Sequence, residues 1–313
     1  MKHIFIINPM AGSGKLLDET RKKIENSGLD YLIYETKAPK DATAFVRDYC
    51  TSHPSEELRF YACGGDGTAN EVATGTVGFE NASFTCYPIG SGNDFVKYYG
   101  GADNFLDLAA LASAPARPVD ILALDDDYSI NVLNFGFDAT VGSTMQKVKR
   151  KPIIGGKHAY TTGIATAIFT AMKTRGKLVG DGNLLFDGKF LLCTVSNGAF
   201  VGGAFHCAPR AKNDDGYMEF CLLRPVSIPR FLSILDPYQK GLHLQDPRFA
   251  DILTYCRVKT LEVTFDKPRP ICLDGEIKTV TSFTVKCLPG ALRFAAPEGA
   301  KLHEEPVLEG AKA

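Results

Sequence analysis

Tryptophan is missing from the 313 residues, and net charge is nearly so, with 35 Lys and Arg set against 36 Asp and Glu. That balance argues against a nucleic-acid partner, because a phosphate backbone is engaged by a strongly basic surface. No stretch approaches the roughly 18 uninterrupted apolar residues of a membrane-spanning helix, so membrane contact is expected to be peripheral. Neither a CxxC pair nor a Cys/His cluster with zinc-ligand spacing occurs, and none of the six histidines has a partner at ligand spacing. The nine cysteines are odd in number, and Cys63, Cys193, Cys221 and Cys287 sit inside apolar stretches as small hydrophobes. Reduced thiols in a cytoplasmic protein fit this usage best. Repeats and low-complexity segments are absent too. The opening Met1-Lys2-His3-Ile4-Phe5-Ile6-Ile7-Asn8 is too short for the apolar core of a signal peptide and suits a strand.

What is present is a soluble globular composition, 45% hydrophobic and 23% charged, long enough for two cores. The first third alternates strand and helix. Strands are expected at 3–8, Tyr31–Glu35, Arg59–Cys63 and Ser83–Ile89, with a polar helix from about Leu16 to Ser27. Asp41 is positioned to cap a helix whose Ala42, Phe45, Val46 and Tyr49 recur at i, i+3, i+4, i+7. Such alternation implies βαβ units and a mainly parallel sheet with helices on both faces. After about Pro118 the pattern turns β-rich, through Phe190–Ser196, Tyr217–Leu223, Val258–Phe265 and Thr279–Leu288. Phe283, Val285 and Cys287 alternate with Ser282, Thr284 and Lys286 as in a half-buried antiparallel strand. One helix is expected near 158–173. The fold class is thus an N-terminal α/β, Rossmann-like domain followed by a β-sandwich-like domain.

Glycine concentrates where chemistry is expected. Gly64-Gly65-Asp66-Gly67-Thr68 follows a strand, and glycine can turn sharply and bring backbone close to a bulky ligand. Thr68 and Glu71 have capping-box spacing, which predicts a helix start whose free N–H groups and positive dipole end face phosphate oxygens. Two further loops repeat the arrangement: Asn8-Pro9-Met10-Ala11-Gly12-Ser13-Gly14-Lys15, and Gly90-Ser91-Gly92-Asn93-Asp94-Phe95. The first fails as a Walker A loop, since Pro9 and Leu16 stand where Gly and Ser or Thr are required. All three loops fall at the carboxyl ends of strands, where such sheets collect ligands. An ordinary turn with a local cap is the bland reading of each. Asp274-Gly275 is by pattern a hairpin turn, Asp214-Asp215-Gly216 a turn before a strand, and Asp138 a helix cap. Lys147, Lys149, Arg150, Lys151 and Lys157 form a basic stretch, either a solvated loop or a patch meeting anionic headgroups.

Taken in order, Asn8-Pro9 with Gly12 and Gly14, GGDGTANEV at 64–72, GSGNDFV at 90–96, Asp120-Ile121, Gly136-Phe137-Asp138-Ala139, Asp214-Asp215-Gly216 and Leu273-Asp274-Gly275-Glu276 resemble the diacylglycerol-kinase catalytic-domain family. That family includes YegS-type lipid kinases, with sphingosine and ceramide kinases as more distant kin. The resemblance spans nearly the whole chain; Ser91 stands where those kinases usually carry Thr, and the hydroxyl is kept. It implies two domains, 1–122 and 123–294, with 295–313 returning to the first, and ATP and Mg²⁺ in the cleft between them. Asp274 then matches the general base with Glu276 beside it, Asp66 the aspartate tied to Mg²⁺–ATP, and Asp120 a supporting carboxylate. Asn8, Pro9, Gly12, Gly14, Gly64, Gly65, Gly67, Thr68, Glu71, Gly90, Ser91, Gly92, Asn93 and Asp94 would surround the nucleotide. Asp214 and Asp215 would be metal ligands, and Asp138 would lie near the acceptor. The implied activity is transfer of a phosphoryl group from ATP to a lipid hydroxyl, diacylglycerol first, at a membrane surface; a homodimer is compatible with it. Alternatives are a kinase of a sphingoid base, phosphatidylglycerol or an undecaprenol-like lipid, an NAD kinase (which shares GGDGT), and a catalytically silent nucleotide or lipid sensor.

Overall fold

The structure, a computed structural model, describes residues 1–12, 14–149 and 172–308. The helix expected near 158–173 falls almost wholly outside them, as do Ser13 and Arg150, Lys151 and Lys157 of the basic stretch. In the N-terminal half β1 (Lys2–Ile7), α1 (Gly14–Glu25), β2 (Tyr31–Glu35), α2 (Asp41–Ser52), β3 (Leu58–Gly64), α3 (Asp66–Thr76) and β4 (Ala82–Pro88) follow one another. The four strands are parallel, in the order β4-β3-β1-β2. Every residue of β3 and β4 is buried, as expected for central strands covered on both faces. Because the strands are parallel, the chain leaves β1, β3 and β4 at the same rim.

Two short helices, α4 (Asp94–Lys97) and α5 (Leu108–Ser113), lead to β5 (Ala116–Leu124). The remainder is mainly antiparallel: β6 (Asp127–Ser129), β7 (Val132–Gly136), β8 (Thr174–Gly180), β9 (Asn183–Phe190), β10 (Leu192–Ser196), β11 (Met218–Leu223), β12 (Leu253–Val258), β13 (Thr260–Leu273) and β14 (Glu276–Ala295). Among the described residues two α-helices interrupt it, α6 (Phe137–Lys149) and α7 (Ile228–Gln239), neither of them the helix expected from sequence. Phe135, Phe190, Phe265 and Phe283 pack into the core of this half, with Phe135 meeting the other three rings at 5.5–5.7 Å. Phe283, Val285 and Cys287 are buried as their alternation predicts.

The 20-residue β14 joins the halves. Its first part pairs with β13, its second with β5, and Phe294 sits in parallel register with Phe84 of β4. The ring of Phe294 meets Phe84, Phe95, Tyr99 and Phe105 at 4.9–6.0 Å, so its burial belongs to the first core. One hydrogen-bonded sheet therefore runs through both halves and fixes the glycine-rich rim relative to the β13–β14 turn.

Candidate active site

The three glycine-rich loops converge at that rim. Asn8 Nδ2 donates to Thr68 Oγ1 at 3.1 Å, which ties the loop after β1 to the loop after β3. The amides of Ile89 and Gly90 both donate to the Gly64 carbonyl, at 2.9 and 3.2 Å. A Cβ on Gly90 would stand 2.4 Å from Gly65 Cα, a distance real atoms do not adopt, so backbone crosses backbone there. Gly12, at φ +69°, brings the first loop to within 2.8 Å of the Ile89 carbonyl by the same measure. These contacts, rather than flexibility in general, are why glycine stands at these positions.

Helix α3 starts at Asp66, with Gly65 as its N-cap residue and no side-chain cap. The expected capping box at Thr68 and Glu71 does not form. The helix begins two residues earlier, Thr68 turns back to Asn8, and Glu71 Oε2 accepts the Ala42 amide at 3.2 Å in the first turn of α2. Glu71 therefore caps a neighbouring helix rather than facing the rim, and burial raises its pKa. Asp41 does not act as the N-cap of α2 either; Lys40 holds that position at φ 69°, and the Asp41 carboxylate takes the Lys37 amide at 2.8 Å.

Asp66 projects from the first residue of α3 toward the third loop. Its Oδ1 accepts the Phe95 amide at 3.2 Å, and a Cβ on Gly92 would come within 2.8 Å of Oδ2. Burial raises its pKa, with the nearby Asp94 carboxylate adding to the effect. Asp94 is itself fastened: both its oxygens accept the Gly203 amide at 3.0 Å, and Lys97 Nζ bonds Asp94 Oδ1 at 2.6 Å and the Gly203 carbonyl at 2.7 Å. It anchors the 200–205 loop of the second half against the first. Asn93 takes a left-handed φ of 51° and donates Nδ2 to the Gly90 carbonyl, which closes the third loop on itself.

Asp274 occupies the tip of the β13–β14 hairpin, at φ 44° followed by Gly275 at φ 93°. Two consecutive positive-φ residues make the tight turn that Asp-Gly predicts. The turn places the carboxylate over the segment before β7. Oδ2 accepts the amides of Ile130 at 2.8 Å and Asn131 at 3.3 Å, and Oδ1 accepts that of Val132 at 2.8 Å. Burial pushes the Asp274 carboxyl up to about 6, and hydrogen bonds from the amides and from the Ser129 side chain oppose the rise.

Asp66, Asp94, Asp138 and Asp274 line one cavity of about 490 Å³. The rest of its wall is mostly apolar, from Phe137, Val141, Leu191, Leu192 and Leu223 to several side chains of α7. Asp138, the second residue of α6, has its carboxyl pushed up to about 6 by burial alone. Sequence reasoning missed the α7 contribution; the apolar period of Phe231, Ile234 and Tyr238 was the available signal. A wider surface depression between α1 and α5 is lined by Lys22, Lys23 and small residues, with Asp107 the one carboxylate among the described residues.

The other predicted residues lie elsewhere. Asp120 is buried, and its two oxygens accept the amides of Gly216 and Gly290, each at 2.7 Å. That bolt ties β5 to the turn before β11 and to β14, and leaves no place at the cavity wall. Asp215 Oδ2 pairs with Arg257 at 2.9 Å while Oδ1 caps the Tyr217 amide, and Asp214 is exposed. Among the described residues no group of three or more His, Cys, Asp or Glu is placed to hold a metal ion, so Asp214 and Asp215 are not joined by a third such ligand. Glu276 is exposed at the start of β14 and is not part of the cavity wall.

The chain is similar to known proteins along most of its length. The family model described as "Diacylglycerol kinase catalytic domain" matches residues 2–124, and "YegS C-terminal NAD kinase beta sandwich-like domain" matches residues 131–296. A Chromohalobacter salexigens protein named "Probable lipid kinase YegS-like" is 32% identical over 78% of this chain and 78% of its own length. The "Diacylglycerol kinase" of Bacillus subtilis is 26% identical over 87% of this chain and 88% of its own. A solved diacylglycerol kinase from Bacillus anthracis superposes with a TM-score of 0.70 over 96% of this chain and 98% of that one; at 20% identity it attests the fold. Family models covering both halves, and a relative above 30% identity along most of the chain, place this protein in the family of diacylglycerol kinases and YegS-like lipid kinases, phosphotransferases with an alcohol group as acceptor.

Proposed function

We propose that the protein transfers the γ-phosphoryl group of ATP to the hydroxyl of diacylglycerol, with Asp274 as general base and Asp66 on the nucleotide side. The observation that carries this reading is the cavity whose apolar wall ends in the carboxylates of Asp66 and Asp274, beside the glycine-rich rim. The first-turn amides of α3, which have no intrahelical partner, suit phosphate oxygens, since they present partial positive charge without a side chain in the way. Phosphoryl transfer needs alignment and neutralised oxygen charge more than covalent help, which a rigid backbone cradle supplies.

At Asp274 three of roughly four carboxylate acceptor positions are taken by amides and the Ser129 side chain reaches the fourth, so a substrate hydroxyl would take the place of Ser129. The amides fix the carboxylate, and its pKa near 6 leaves it ionised at neutral pH yet more basic than an ordinary aspartate. It takes the hydroxyl proton as the acceptor oxygen forms its bond to phosphorus and ADP leaves. The donor set also fits Mg²⁺, which prefers oxygen and one or two carboxylates beside phosphates. Asp66 would hold it, because a cation beside the carboxylate offsets the burial, and the lesser effect of Asp94, that raise its pKa. Bound there, the ion supplies charge neutralisation on the phosphate oxygens.

The test is transfer of label from γ-labelled ATP to a panel of diacylglycerol, phosphatidylglycerol, a sphingoid base and NAD. Label is expected in phosphatidic acid, and Asp274→Asn is expected to lower kcat about 10²–10⁴-fold with the KM for ATP little changed. Full activity of Asp274→Asn, or label only in another acceptor, would contradict the assignment.

A further inference from the structure

Helix α7 carries more apolar surface than its packing uses. Phe231, Ile234 and Tyr238, at i, i+3 and i+7, are each no more than 5% exposed and form the stripe that holds the helix to the core. Phe231 meets Phe137 at 4.9 Å and Tyr238 meets Phe205 at 6.3 Å. Beside this stripe runs a second, Ile228, Leu232 and Leu235, at i, i+4 and i+7. Ile228 is 45% exposed and Leu232 60%, whereas Leu235 is half-buried. Single exposed leucines are ordinary on protein surfaces, but this pair is one turn apart on one face. Leu232 is also part of the cavity wall that holds Asp274, so the apolar interior runs onto the outer face of α7 without a break.

The charges around the helix are compensated. Arg230 pairs with Asp251, Arg248 with Asp246, and Lys240 with Asp236, so among the described residues the charges next to the stripe are paired. A surface that is apolar, flanked among the described residues by paired charges, and continuous with a mostly apolar cavity matches the acyl region of a bilayer. We propose that the Ile228–Leu232–Leu235 stripe is the face on which the protein seats on a lipid bilayer, and that acyl chains pass along Leu232 into the cavity. This inference rests on the lipid-kinase reading above and names the surface through which its substrate arrives. The contact made by this stripe is apolar, so its contribution tolerates salt.

The experiment is co-sedimentation of the full chain with phosphatidylcholine vesicles containing diacylglycerol, paired with transfer to a dispersed short-chain diacylglycerol. Ile228→Asp and Leu232→Asp are each expected to lower vesicle partition about tenfold or more, since each withdraws a large apolar side chain from lipid. Leu184→Asp, at a 60% exposed leucine on β9, is expected to change nothing. Raising salt should leave wild-type binding intact. Ile228→Asp should keep the wild-type kcat on the dispersed acceptor and lose activity only on vesicles. Wild-type partition by both α7 variants, an equal loss in Leu184→Asp, or no vesicle binding by the wild type would overturn the proposal. Vesicle binding lost in the α7 variants with no lipid phosphorylated by any form would instead remove the kinase reading and leave the seat standing.

Discussion

At Asp274 burial and hydrogen bonding pull one carboxyl group in opposite directions, and the balance near 6 has a kinetic consequence. Only the ionised form can accept a proton, so kcat at saturating ATP and lipid is expected to rise with pH through about 6 and level off above it; a profile flat from pH 5 to 8 would remove Asp274 as base. Asp138 carries a stability signature of the same origin. Its folded pKa of about 6 lies above the ordinary 3.8, so the folded state keeps its proton after the unfolded chain has lost it. Its contribution to stability is therefore full below about 4 and is lost as pH rises to about 6. Asp138→Asn, which cannot ionise, should gain in melting temperature relative to wild type across that interval, and a constant difference would contradict the assignment. The residue types were legible in the sequence, because Asp-Gly between two apolar runs announces a hairpin and three glycine clusters announce close backbone approach. Their partners were less so. Glu71 stands where a capping box wants it and yet caps α2, and Asp120 spends both oxygens on amides 96 and 170 positions away. No local pattern records such distant partners.

Among the elements, the loops after β1, β3 and β4 act as one unit because their backbones touch. Gly90→Ala forces a Cβ to within 2.4 Å of Gly65 Cα, so the third loop must withdraw from the second. We expect a loss of about 1–3 kcal/mol in stability, by denaturant unfolding, and a weaker affinity for ATP by calorimetry. Unchanged ATP affinity in a folded Gly90→Ala protein would separate the loops from the nucleotide. The strands of this region were legible within a residue or two, since parallel strands buried on both faces show as continuous apolar runs. Helix α7 was not, since Pro229 and Pro237 interrupt the pattern at the sequence level. In the structure Pro229 lies in the first turn, where its missing N–H costs nothing, and the apolar stripe is left to decide. The basic run that sequence analysis raised as a lipid-facing patch lies largely outside the described residues, and the lipid seat argued above uses apolar contact instead.

At the scale of the whole molecule, β14 and Asp120 hold the two halves in register. Strand β14 hydrogen-bonds to β13, β5 and β4 in turn, and the Asp120 carboxylate joins β5, the Gly216 turn and Gly290. Asp120→Ala leaves two inward amides without acceptors, at about 1–3 kcal/mol each. The expected result is a lower unfolding midpoint with the KM for ATP of the folded fraction near wild type; a selective loss of kcat at unchanged stability would restore Asp120 to the chemistry. A joined two-domain fold was legible through its ordered motifs, whereas the convergence of Asp66 and Asp274 on one cavity arises from sheet pairing that no short-range pattern encodes. The most direct measurement is a crystal structure of the protein with Mg²⁺ and a non-hydrolysable ATP analogue. The account predicts the triphosphate on the amides of the three loops, Mg²⁺ on Asp66, and the γ-phosphate facing the cavity beside Asp274. A nucleotide bound in any other cleft, or a γ-phosphate directed away from Asp274, would contradict it.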